Sequence, residues 1–382
     1  LFKETVRVFL QNLRKHKPGL CEGVIKELSR DYLANDFDLT EKYREKAQRQ
    51  IKVMAKDMYL LYKTFTNHNQ VKHYESFKTL ARVFDQQCER VGDSDGEKME
   101  IVIREKPKGD EIISTPHNTD ARYVKKGKQK VCGQKGFLTE SCEETNKTQF
   151  ITDIEVTPST TADSTELPRI HERLEESNMK PEEQYADAGF VNGQTILDSQ
   201  TNEILLEGPS SGRSQSFETY NAEDRPLDVA DFEIEIEEKT KGLTVVSCPA
   251  NQEPADQSRS SKTGNILVHF VVAVCSVCQL KKRCPVKIGA TVATLTLDER
   301  SYAGAVRHHK YMEDPGYRKK CSIRAGAEAM VSEIVRGHGV RKSRHRNEVR
   351  TRLQLIFSAI ACNVKRHIRH GQEYGYAMAT NT

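Results

Sequence analysis

The sequence predicts a mixed α/β protein with a helical N-terminal region and a β-rich insertion that carries cysteines. Three observations lead to this fold class. Apolar residues recur at helical spacing over residues 1–92. Over residues 126–215, apolar runs alternate with amphipathic segments in the order strand, strand, helix, strand, helix, strand, which is typical of a layered α/β domain. Over residues 216–290 the pattern takes a period of two, and this stretch also holds a group of cysteines.

The composition is that of a polar globular protein with room for two or three domains. Its 382 residues are 36% hydrophobic and 30% charged, and no apolar run approaches the length of a membrane span. The first segment, LFKETVRVFLQNLRKHK, is amphipathic and lacks the apolar stretch of a signal peptide. Ten cysteines in such a chain favour reduced thiols and a cytoplasmic location.

Charge is distributed unevenly along the chain. The formal net charge is +4, yet between Arg300 and His370 the basic residues outnumber the acidic ones by roughly three to one. Acidic residues dominate between Glu218 and Glu238. A basic C-terminal third indicates a polyanionic partner.

Residues 1–92 predict a small bundle of helices. Four apolar stripes at helical spacing define it. No group in these stripes suggests chemistry, so we interpret them as core. The stripes are Phe2, Val6, Phe9 and Leu13; Val24, Ile25, Leu28 and Tyr32; Ile51, Met54, Met58, Leu61 and Phe65; and Phe77, Leu80 and Phe84.

A linker and a basic loop are predicted over residues 93–125. Gly, Asp, Lys and Glu dominate the composition as far as Asp110, and Pro116 indicates a turn. The lysines that follow, beginning with Lys125 and Lys126, are suited to binding a phosphate backbone. A solvated loop without a ligand is the alternative interpretation.

The predicted α/β core places one acidic residue at the end of a strand. Residues 150–156 have the alternation of a strand, residues 167–176 form a short helix, and residues 204–209 form a buried strand. In YADAGF, Asp187 directly follows another predicted strand, a position where ligands bind in open α/β sheets. Its carboxylate can hold a hard cation, or it can cap the following turn.

The β-rich insertion, residues 216–290, suggests a zinc site. Cys275 and Cys278 form a C-x2-C pair, Cys284 follows, and Cys248 lies upstream. Four thiolates are a common tetrahedral ligand set for structural zinc. His269 is a substitute ligand, and thiols without metal are the alternative interpretation.

Residues 321–346 combine a predicted helix with a basic run. Arg324 and Glu328 are four residues apart and therefore share one face of the helix. A carboxylate that leads into a cationic segment suits a metal ion beside a phosphate backbone; a surface ion pair is the simpler alternative. The apolar face of the predicted helix consists of Ile323, Ala327, Val331 and Ile334. The helix is predicted to end at Gly337 and Gly339. The basic residues are Arg336, Arg341, Lys342, Arg344, His345 and Arg346.

The last predicted helix carries a full apolar stripe. Its residues are Val349, Leu353, Ile356, Ile360, Val364 and Ile368. With this helix, residues 291–370 complete the predicted core, and residues 371–382 form a tail.

These motifs resemble the bacterial insertion-sequence transposases of the DDE type. In that family, a Y-x2-R-x3-E-x6-K signature carries the third metal-binding carboxylate of an RNase H-like domain. Arg324 and Glu328 match this signature, whereas Cys321 replaces its Tyr and Val335 replaces its Lys. The family's second Asp stands in an Asp-x-Gly-aromatic segment, which Asp187 and its neighbours match.

Two further segments resemble the family. TPHNTDARYVKKGKQ is similar to S-P-x-D-x-D-A-R-y-x-x-K, and GQKGFLTES is similar to G-Y-K-x-H-l-T-E-T. The matching residues are Asp120, Ala121 and Arg122, and the departures are Asn118, Gln134 and Gly136. The resemblance covers most of the chain and is densest over residues 114–209 and 321–366; the family also includes members with a β insertion and similar cysteines.

The resemblance implies an RNase H-like core in two parts, residues 126–215 and 291–370, and a polynucleotidyl transferase that cleaves and joins DNA. Asp187 and Glu328 would hold Mg²⁺ or Mn²⁺ in the catalytic site, and Arg324 would orient Glu328 or contact phosphate. Because two metal ions lie about 4 Å apart in such sites, we expect the two carboxylates within roughly 8 Å of each other.

The partners implied are double-stranded DNA, as element ends and target, and a second copy of the chain in the DNA complex. The location implied is the nucleoid of a bacterial cytoplasm. The DNA-binding residues implied are Arg336, Arg341, Lys342, Arg344, Arg346, Lys125 and Lys126.

The first Asp of the family's trio precedes the helical region, which begins here at Leu1. We interpret the start at Leu, rather than Met, as a processed or incomplete N-terminus. Asp120 and Asp153 are the substitutes within the chain. We therefore expect residues 1–382 to bind DNA without cleaving or joining it.

Three other functions are consistent with the same residues. The first is a DNA-binding transposase remnant without catalysis, and the second is a metal-dependent nuclease without strand transfer. The third is a zinc-stabilised interaction protein with no nucleic-acid partner. The basic run argues against the third, and a salt-dependent DNA affinity distinguishes it from the others.

Overall fold

Helices fill the N-terminal region, and short strands alternate with helices through the rest of the chain. The computed structural model describes residues 1–34, 44–91, 100–108, 111–127, 129–237 and 242–374. Up to residue 126 the elements are α1 (Phe2–His16), α2 (Pro18–Ile25), α3 (Arg44–Phe65), α4 (Glu75–Gln87), β1 (Cys88–Val91), β2 (Glu100–Ile103) and β3 (Arg122–Lys126).

The alternating segment follows the order that the sequence predicts, with β4 and β5 before α5, β6, α6 and β7. The elements are β4 (Gln129–Glu140), β5 (Ile151–Pro158), α5 (Asp163–Glu176), β6 (Glu183–Tyr185), α6 (Gly193–Thr201), β7 (Leu205–Glu207), α7 (Phe217–Tyr220) and β8 (Glu233–Ile236). The remaining elements are β9 (Leu243–Ser247), β10 (Asp256–Arg259), β11 (Ile266–Phe270), α8 (Val272–Val277), β12 (Lys287–Ile288), β13 (Ala293–Leu297), α9 (Glu299–Glu313), α10 (Pro315–Cys321), α11 (Ala325–His338) and α12 (Glu348–Tyr374).

The chain divides into two compact units. The first comprises Leu1–Phe137, Ile154–Thr160 and Val340–Ser358, and the second comprises Leu138–Asp153, Thr161–Gly339 and Ala359–Thr382. None of the described helices combines the length and the apolar character that crossing a bilayer requires.

The predicted helical region is confirmed. Phe9 on α1 packs against Phe65 on α3 and Phe77 on α4, with ring centroids 5.4 and 5.7 Å apart. Edge-on and tilted contacts of this kind are favourable for aromatic side chains. The buried Asp57 accepts a hydrogen bond from the hydroxyl of Tyr32 at 2.7 Å, which satisfies both polar groups inside the bundle.

Part of the predicted linker and basic loop consists of strands. β1 and β2 pair as an antiparallel hairpin. Lys125 and Lys126, expected in a loop, lie in β3 and face Lys130 and Gln129 of β4. Gly127 makes this tight reversal with a φ of 60°, which a residue without Cβ adopts freely. Residues 93–99 and 109–110 of this prediction lie outside the described residues, as do residue 92 of the predicted helical region and residue 128 of the predicted core.

The strands form five small sheets rather than one continuous sheet among the described residues. β1 pairs with β2, β8 with β9, and β6 with β7; β3, β4 and β5 form a sheet in that order, and the fifth sheet has the order β10, β11, β13, β12. β6 and β7 are parallel, and the other pairs with assigned registers are antiparallel. The architecture is mixed α/β, and it does not establish the RNase H-like sheet that the resemblance implies.

A buried carboxylate attaches α9 and α10 to β7. Glu207 is only 2% exposed. Arg307 of α9 lies 3.0 Å from its carboxylate, and the hydroxyl of Tyr317 on α10 donates to it at 2.7 Å. Arg307 also donates to the carbonyl of Leu206. Since a buried charge is costly unless it is paired and hydrogen-bonded, these contacts hold the two helices against the strand.

The buried face of α11 differs from the predicted one. Met330 and Ile334 are buried, whereas Val331, which was expected to be buried, is 42% exposed. The reason is local: residues 322–324 form a 3₁₀ turn with three residues per turn, so Ile323 does not continue the period of the α-helix. The predicted stop is confirmed, because Gly339 caps the helix with a φ of 64°.

The apolar stripe predicted on α12 is largely exposed. Val349 is 69% and Val364 is 51% exposed, whereas Leu355, Ala359 and Cys362 are buried. A polar anchor fixes the second half of the helix. Asn363 accepts a hydrogen bond from the N–H of Ile151 and donates to its carbonyl, both at 2.9 Å.

We expect the substitution Gly208→Ala to disturb the strand end that carries Asp187. Gly208 has a φ of 142°, and an added Cβ would lie 2.2 Å from the carbonyl oxygen of Ala186. Backbone strain and overpacking together should lower the free energy of unfolding by about 3 kcal/mol. Denaturant unfolding measures the loss. Gly337→Ala is the control, since it lies in open space on α11; a loss as large for the control would contradict this explanation.

Candidate functional site

Asp187 lies directly after the parallel pair of β6 and β7. The N–H of Ala186 donates to the carbonyl of Glu207 at 2.9 Å, and the N–H of Phe190 donates back to the carbonyl of Asp187 at 2.9 Å. The chain therefore turns sharply at Asp187 and leaves its side chain 63% exposed. Gly189 follows because a Cβ there would lie 2.4 Å from a carboxylate oxygen of Asp163.

Arg324 forms an ion pair and a hydrogen bond with Asp187. The two residues are far apart in sequence, and both were singled out from it as site residues. Arg324 is the last residue of the 3₁₀ turn and directly precedes α11. The structure thus brings the start of α11 to the end of β6.

Glu328 lies in the first turn of α11, four residues after Arg324. Four residues of helix advance about 6 Å along the axis, so both side chains lie near the same helix end. Glu328 is exposed and forms no ion pair or hydrogen bond with a described residue. The expected approach of its carboxylate to that of Asp187 stays a prediction.

A cluster that sequence reasoning missed holds α11 in place. Arg366 of α12 lies 2.7 Å from Glu333 of α11 and 3.0 Å from Glu140 of β4. Burial raises the pKa of the Glu140 carboxyl, and the Arg366 guanidinium opposes this change. The sequence indicates this cluster only through the charge of Arg366. Its partners Glu333 and Glu140 are 33 and 226 residues away along the chain, so no local pattern contains them.

The carboxylate of Asp153 is already bound by an arginine. It is 8% exposed, and the guanidinium of Arg173 donates to both of its oxygens at 2.9 Å. Arg173 also pairs with the fully buried Glu166 at 3.0 Å. A bidentate pair of this kind is a structural element inside the second unit.

Asp120 lies in the first unit and accepts a hydrogen bond from the backbone N–H of Glu348 at 3.4 Å. The pKa of Glu348 is raised by burial and by the negative charges of Asp120 and Glu155. Arg352 pairs with Glu155 at 3.0 Å and offsets part of this charge. Asp120 therefore belongs to an acidic group at the start of α12.

Among the described residues, one group has ligand atoms of three His, Cys, Asp or Glu side chains within 4.8 Å of one another, namely Asp228, Asp231 and His309. Burial alone would raise the pKa of Asp228, but His309, the N–H of Ala230 and Arg213 together lower it to about 2. Arg225 donates to both oxygens of Asp231, at 2.6 and 3.0 Å. The group has the spacing of a cation site, yet cationic side chains already bind its carboxylates.

The basic run is exposed. Its residues Arg341, Lys342, Arg344 and Arg346, and Arg336 on α11, lie at the surface and pair with no described acidic residue. The backbone of the run is fixed to α12, because the N–H of Arg344 donates to Gln354 at 2.9 Å. Fixed backbone with free cationic side chains suits the binding of phosphate groups. Lys125 on β3 is likewise exposed.

The four cysteines of the insertion line one pocket. Cys248, Cys275, Cys278 and Cys284 are all half-buried. His269 is instead bound to Asp256, with Nδ1 2.7 Å from the carboxylate. The sequence motif therefore corresponds to a group of thiols that are neighbours in space.

One comparison with known proteins found a match, over part of the chain. Residues 247–368 match the family described as Transposase DDE domain. No curated protein and no solved structure matches the chain. DDE transposases are enzymes that move DNA, so the match implies a transposase-family function, DNA binding and the use of divalent metal. The matched DDE segment contains Arg324, Glu328, the basic run and the four cysteines; Asp187 lies before it.

We expect Asp153→Ala to lower the free energy of unfolding and Asp187→Ala to leave it nearly unchanged. Removing Asp153 leaves Arg173 without one of its two buried partners, which should lower the free energy of unfolding by about 3–5 kcal/mol. Asp187 is exposed, so its ion pair contributes at most about 1 kcal/mol. Urea unfolding of the two variants provides the comparison. An unchanged midpoint for Asp153→Ala would restore Asp153 as a candidate ligand.

Proposed function

We propose that this protein is a DDE transposase whose catalytic site contains Asp187 and Glu328. The observation that supports this most is the contact of Arg324, one helical turn before Glu328, with Asp187. Arg324 and Glu328 both lie in the segment that matches a DDE domain. This contact brings the helix start that carries the R-x3-E pair to the strand end that carries Asp187, as a shared site requires. The proposed activity is metal-dependent DNA cleavage and strand transfer.

The residues present fit a hard divalent cation. Asp187 and Glu328 offer exposed carboxylate oxygens, the ligands that Mg²⁺ and Mn²⁺ prefer. Such ions, when bound by carboxylates, activate a water or a 3′-hydroxyl and stabilise the leaving oxygen. Arg324 holds Asp187 at the start of α11, and its guanidinium can also contact a phosphate. The third carboxylate of the set stays unassigned. Metal binding and DNA binding are therefore the properties by which the proposed site is tested.

Arg324 and a metal would share Asp187. The guanidinium binds one carboxylate oxygen of Asp187, and the other oxygen has no described partner. A DNA phosphate that approached the site would attract Arg324 as well, since guanidinium groups bind phosphate in a bidentate manner. Arg324 is therefore the residue that couples the metal ligand to the bound DNA.

The proposed domain arrangement follows the predicted one. Residues 126–215 and 291–370 form the core in two parts, residues 216–290 form the β insertion, and residues 1–92 form the helical region. Double-stranded DNA is the proposed partner, and a second copy of the chain joins it in the DNA complex. The exposed basic run provides charge for this contact.

A metal-dependent nuclease is the second candidate function. A nuclease would use the same carboxylates, and the exposure of Glu328 supports a nuclease as much as a transposase. The two differ in the acceptor of the cleaved phosphate: a transposase joins it to a 3′-hydroxyl of DNA, whereas a nuclease transfers it to water. Joined DNA products in a strand-transfer assay support the first function, and hydrolysis alone supports the second.

We expect iron bound in place of magnesium to cut the backbone next to Asp187 and Glu328. Fe²⁺ with ascorbate and peroxide generates hydroxyl radicals at its binding site, and mass spectrometry locates the cuts. Excess Mg²⁺ or Mn²⁺ should suppress both cuts, since they compete for the same oxygen ligands. Asp187→Ala should reduce both cuts by about tenfold or more.

The control for this mapping is Glu253→Ala. Glu253 is an exposed acid without a described partner, located in the insertion. The control should leave the cutting pattern unchanged. Cuts near Asp187 that persist in Asp187→Ala, or cuts near only one of the two residues, would contradict a shared metal site.

We expect the basic run to account for much of the salt dependence of DNA binding. Replacing Arg341, Lys342, Arg344 and Arg346 by Ala removes four cationic side chains. Each phosphate contact contributes about −0.9 to the slope of log Kobs against log salt concentration, so the slope should become shallower by roughly 3–4. Fluorescence anisotropy on duplex DNA at several salt concentrations measures it.

A charge-matched control separates this effect from net charge. It replaces four exposed lysines of the helical region, namely Lys15, Lys26, Lys52 and Lys56. The control should change the slope by less than about 0.9, which is the contribution of one phosphate contact. Equal losses in both variants would show that DNA binds without preference for the basic run.

A further inference from the structure

The insertion presents four thiols toward one pocket in the second unit. Besides the thiols, the pocket is lined by apolar groups such as Phe270, Val286 and Ile288, by two amides, Gln252 and Gln279, and by Lys281. The described lining contains no carboxylate and no histidine. Any cation bound there would therefore meet soft sulfur ligands, which select zinc or copper(I) over magnesium.

Cys248 stands on a tight turn directly after β9. The N–H of Asn251 donates to the carbonyl of Cys248 at 2.8 Å, and the N–H of Cys248 donates to the carbonyl of Gln252 at 3.0 Å. Asn251 closes the turn with a φ of 54°, in the left-handed region that asparagine tolerates. The turn fixes the backbone on both sides of the first thiol.

The other three thiols follow a second compact segment. Cys275 lies in α8, and Cys278 ends that helix. The N–H of Lys281 donates to the carbonyl of Cys278 at 3.2 Å, and the N–H of Cys284 donates to the carbonyl of Leu280 at 2.9 Å. These successive turns direct three sulfurs from ten residues of chain to one side.

Burial raises the pKa of the Cys284 thiol, and a hydrogen bond to its sulfur from the backbone N–H of Val286, two residues later, opposes this change. Such N–H groups stabilise a thiolate and orient a ligating sulfur. Burial raises the pKa of Cys275, and its three neighbours Cys248, Cys284 and Cys278 raise it further. The geometric evidence that the four cysteines are neighbours is that all of them line one pocket.

Four of the six remaining cysteines show how this chain places thiols in its core. Cys21, Cys88, Cys321 and Cys362 are 0–2% exposed, whereas Cys142 is half-buried and Cys132 is exposed. The four thiols of the pocket are instead half-buried and face a common space. Core packing explains the first set and does not explain the second.

Closure around an ion requires the sulfurs to move toward one another. No three of the four sulfurs lie within 4.8 Å of one another among the described residues, whereas sulfurs around a tetrahedral zinc are about 3.8 Å apart. Rotation about χ1 is the motion by which a half-buried cysteine can bring its sulfur to an ion. Val277, at the end of α8, is 82% exposed, so the segment between Cys275 and Cys278 has space to adjust.

Cationic side chains next to the pocket offset the charge of four thiolates. Zinc with four thiolates carries a net charge of −2, and the segment between Cys278 and Cys284 contains Lys281, Lys282 and Arg283. Lys281 donates to the carbonyl of Ser276 at 3.3 Å, which holds its charge beside the C-x2-C pair.

We infer that Cys248, Cys275, Cys278 and Cys284 bind one structural zinc ion that fastens the two turns of the insertion together. This inference goes beyond the proposed DNA chemistry and does not depend on it, because the pocket contains neither Asp187 nor Glu328. All four protein positions are filled by thiolates, so the site is closed to substrate and serves the fold.

The test measures zinc and cobalt binding by the full chain, purified under reducing conditions. We expect about one zinc per chain by plasma mass spectrometry, and thiolate-to-cobalt charge-transfer absorption with tetrahedral d–d bands after exchange with Co²⁺. Cys278→Ser should weaken zinc binding by about 100-fold or more, since it removes one of four ligands. Cys132→Ser is the matched control, because Cys132 is an exposed thiol outside the pocket.

A second measurement keeps the result interpretable if Cys278→Ser folds poorly. In the unsubstituted chain, zinc should protect four thiols from alkylation, and peptide mapping should identify them as the four pocket cysteines while Cys132 reacts. A strong chelator should then expose the same four. Absence of zinc and cobalt binding with all four thiols freely alkylated, or zinc content unaffected by Cys278→Ser, would overturn the inference.

Discussion

The pairing of the buried Glu207 with Arg307 and Tyr317 is the interaction on which the candidate site depends. Glu207 ends β7, whose backbone fixes the residue before Asp187 through the hydrogen bond to Ala186. Tyr317 lies on α10, the helix that leads into the turn carrying Arg324. Leaving a buried charge unpaired costs about 3–5 kcal/mol, so strand and helices are held in one arrangement. The contact of Arg324 with Asp187 follows from that arrangement.

Two groups of acidic residues differ in their surroundings. In one group the carboxylate is buried and bound by an arginine, and in the other the carboxylate is exposed and available to a ligand. Asp153 and Glu207 are buried, and arginines occupy their oxygens, so their charges serve the fold. Glu328 is exposed without a described partner, and Asp187 is exposed with a single one. Ligand binding requires groups with unused capacity, since an ion must replace water rather than a buried arginine. Availability therefore separates candidate ligands from structural carboxylates better than residue type does.

The sequence predicts features that regular local patterns determine, and fails where an irregular turn or distant residues decide. The order from β4 to β7, the strand end at Asp187 and the stop at Gly339 depend on local patterns and were predicted. The buried face of α11 was not, because a 3₁₀ turn interrupts the helical period. The orientation of α12 was also missed. Asn363 and Arg366 anchor it to residues 212 and 226 positions away, and no periodicity of a single segment reports such contacts.

The cysteine pocket and the candidate site are connected through one short junction. β13, which pairs with β11 and β12 in the sheet of the insertion, ends at Leu297, and Asp298 directly caps α9 by accepting from the N–H of Ser301 at 2.8 Å. α9 then supplies Arg307 to Glu207. A single capping residue joins the strand to the helix, and a cap of this kind orients the first turn of the helix relative to the residue before it. An ion that holds the insertion together would thus also stabilise the position of the start of α9. This gives a physical reason why an insertion without catalytic groups would contain a stabilising metal site.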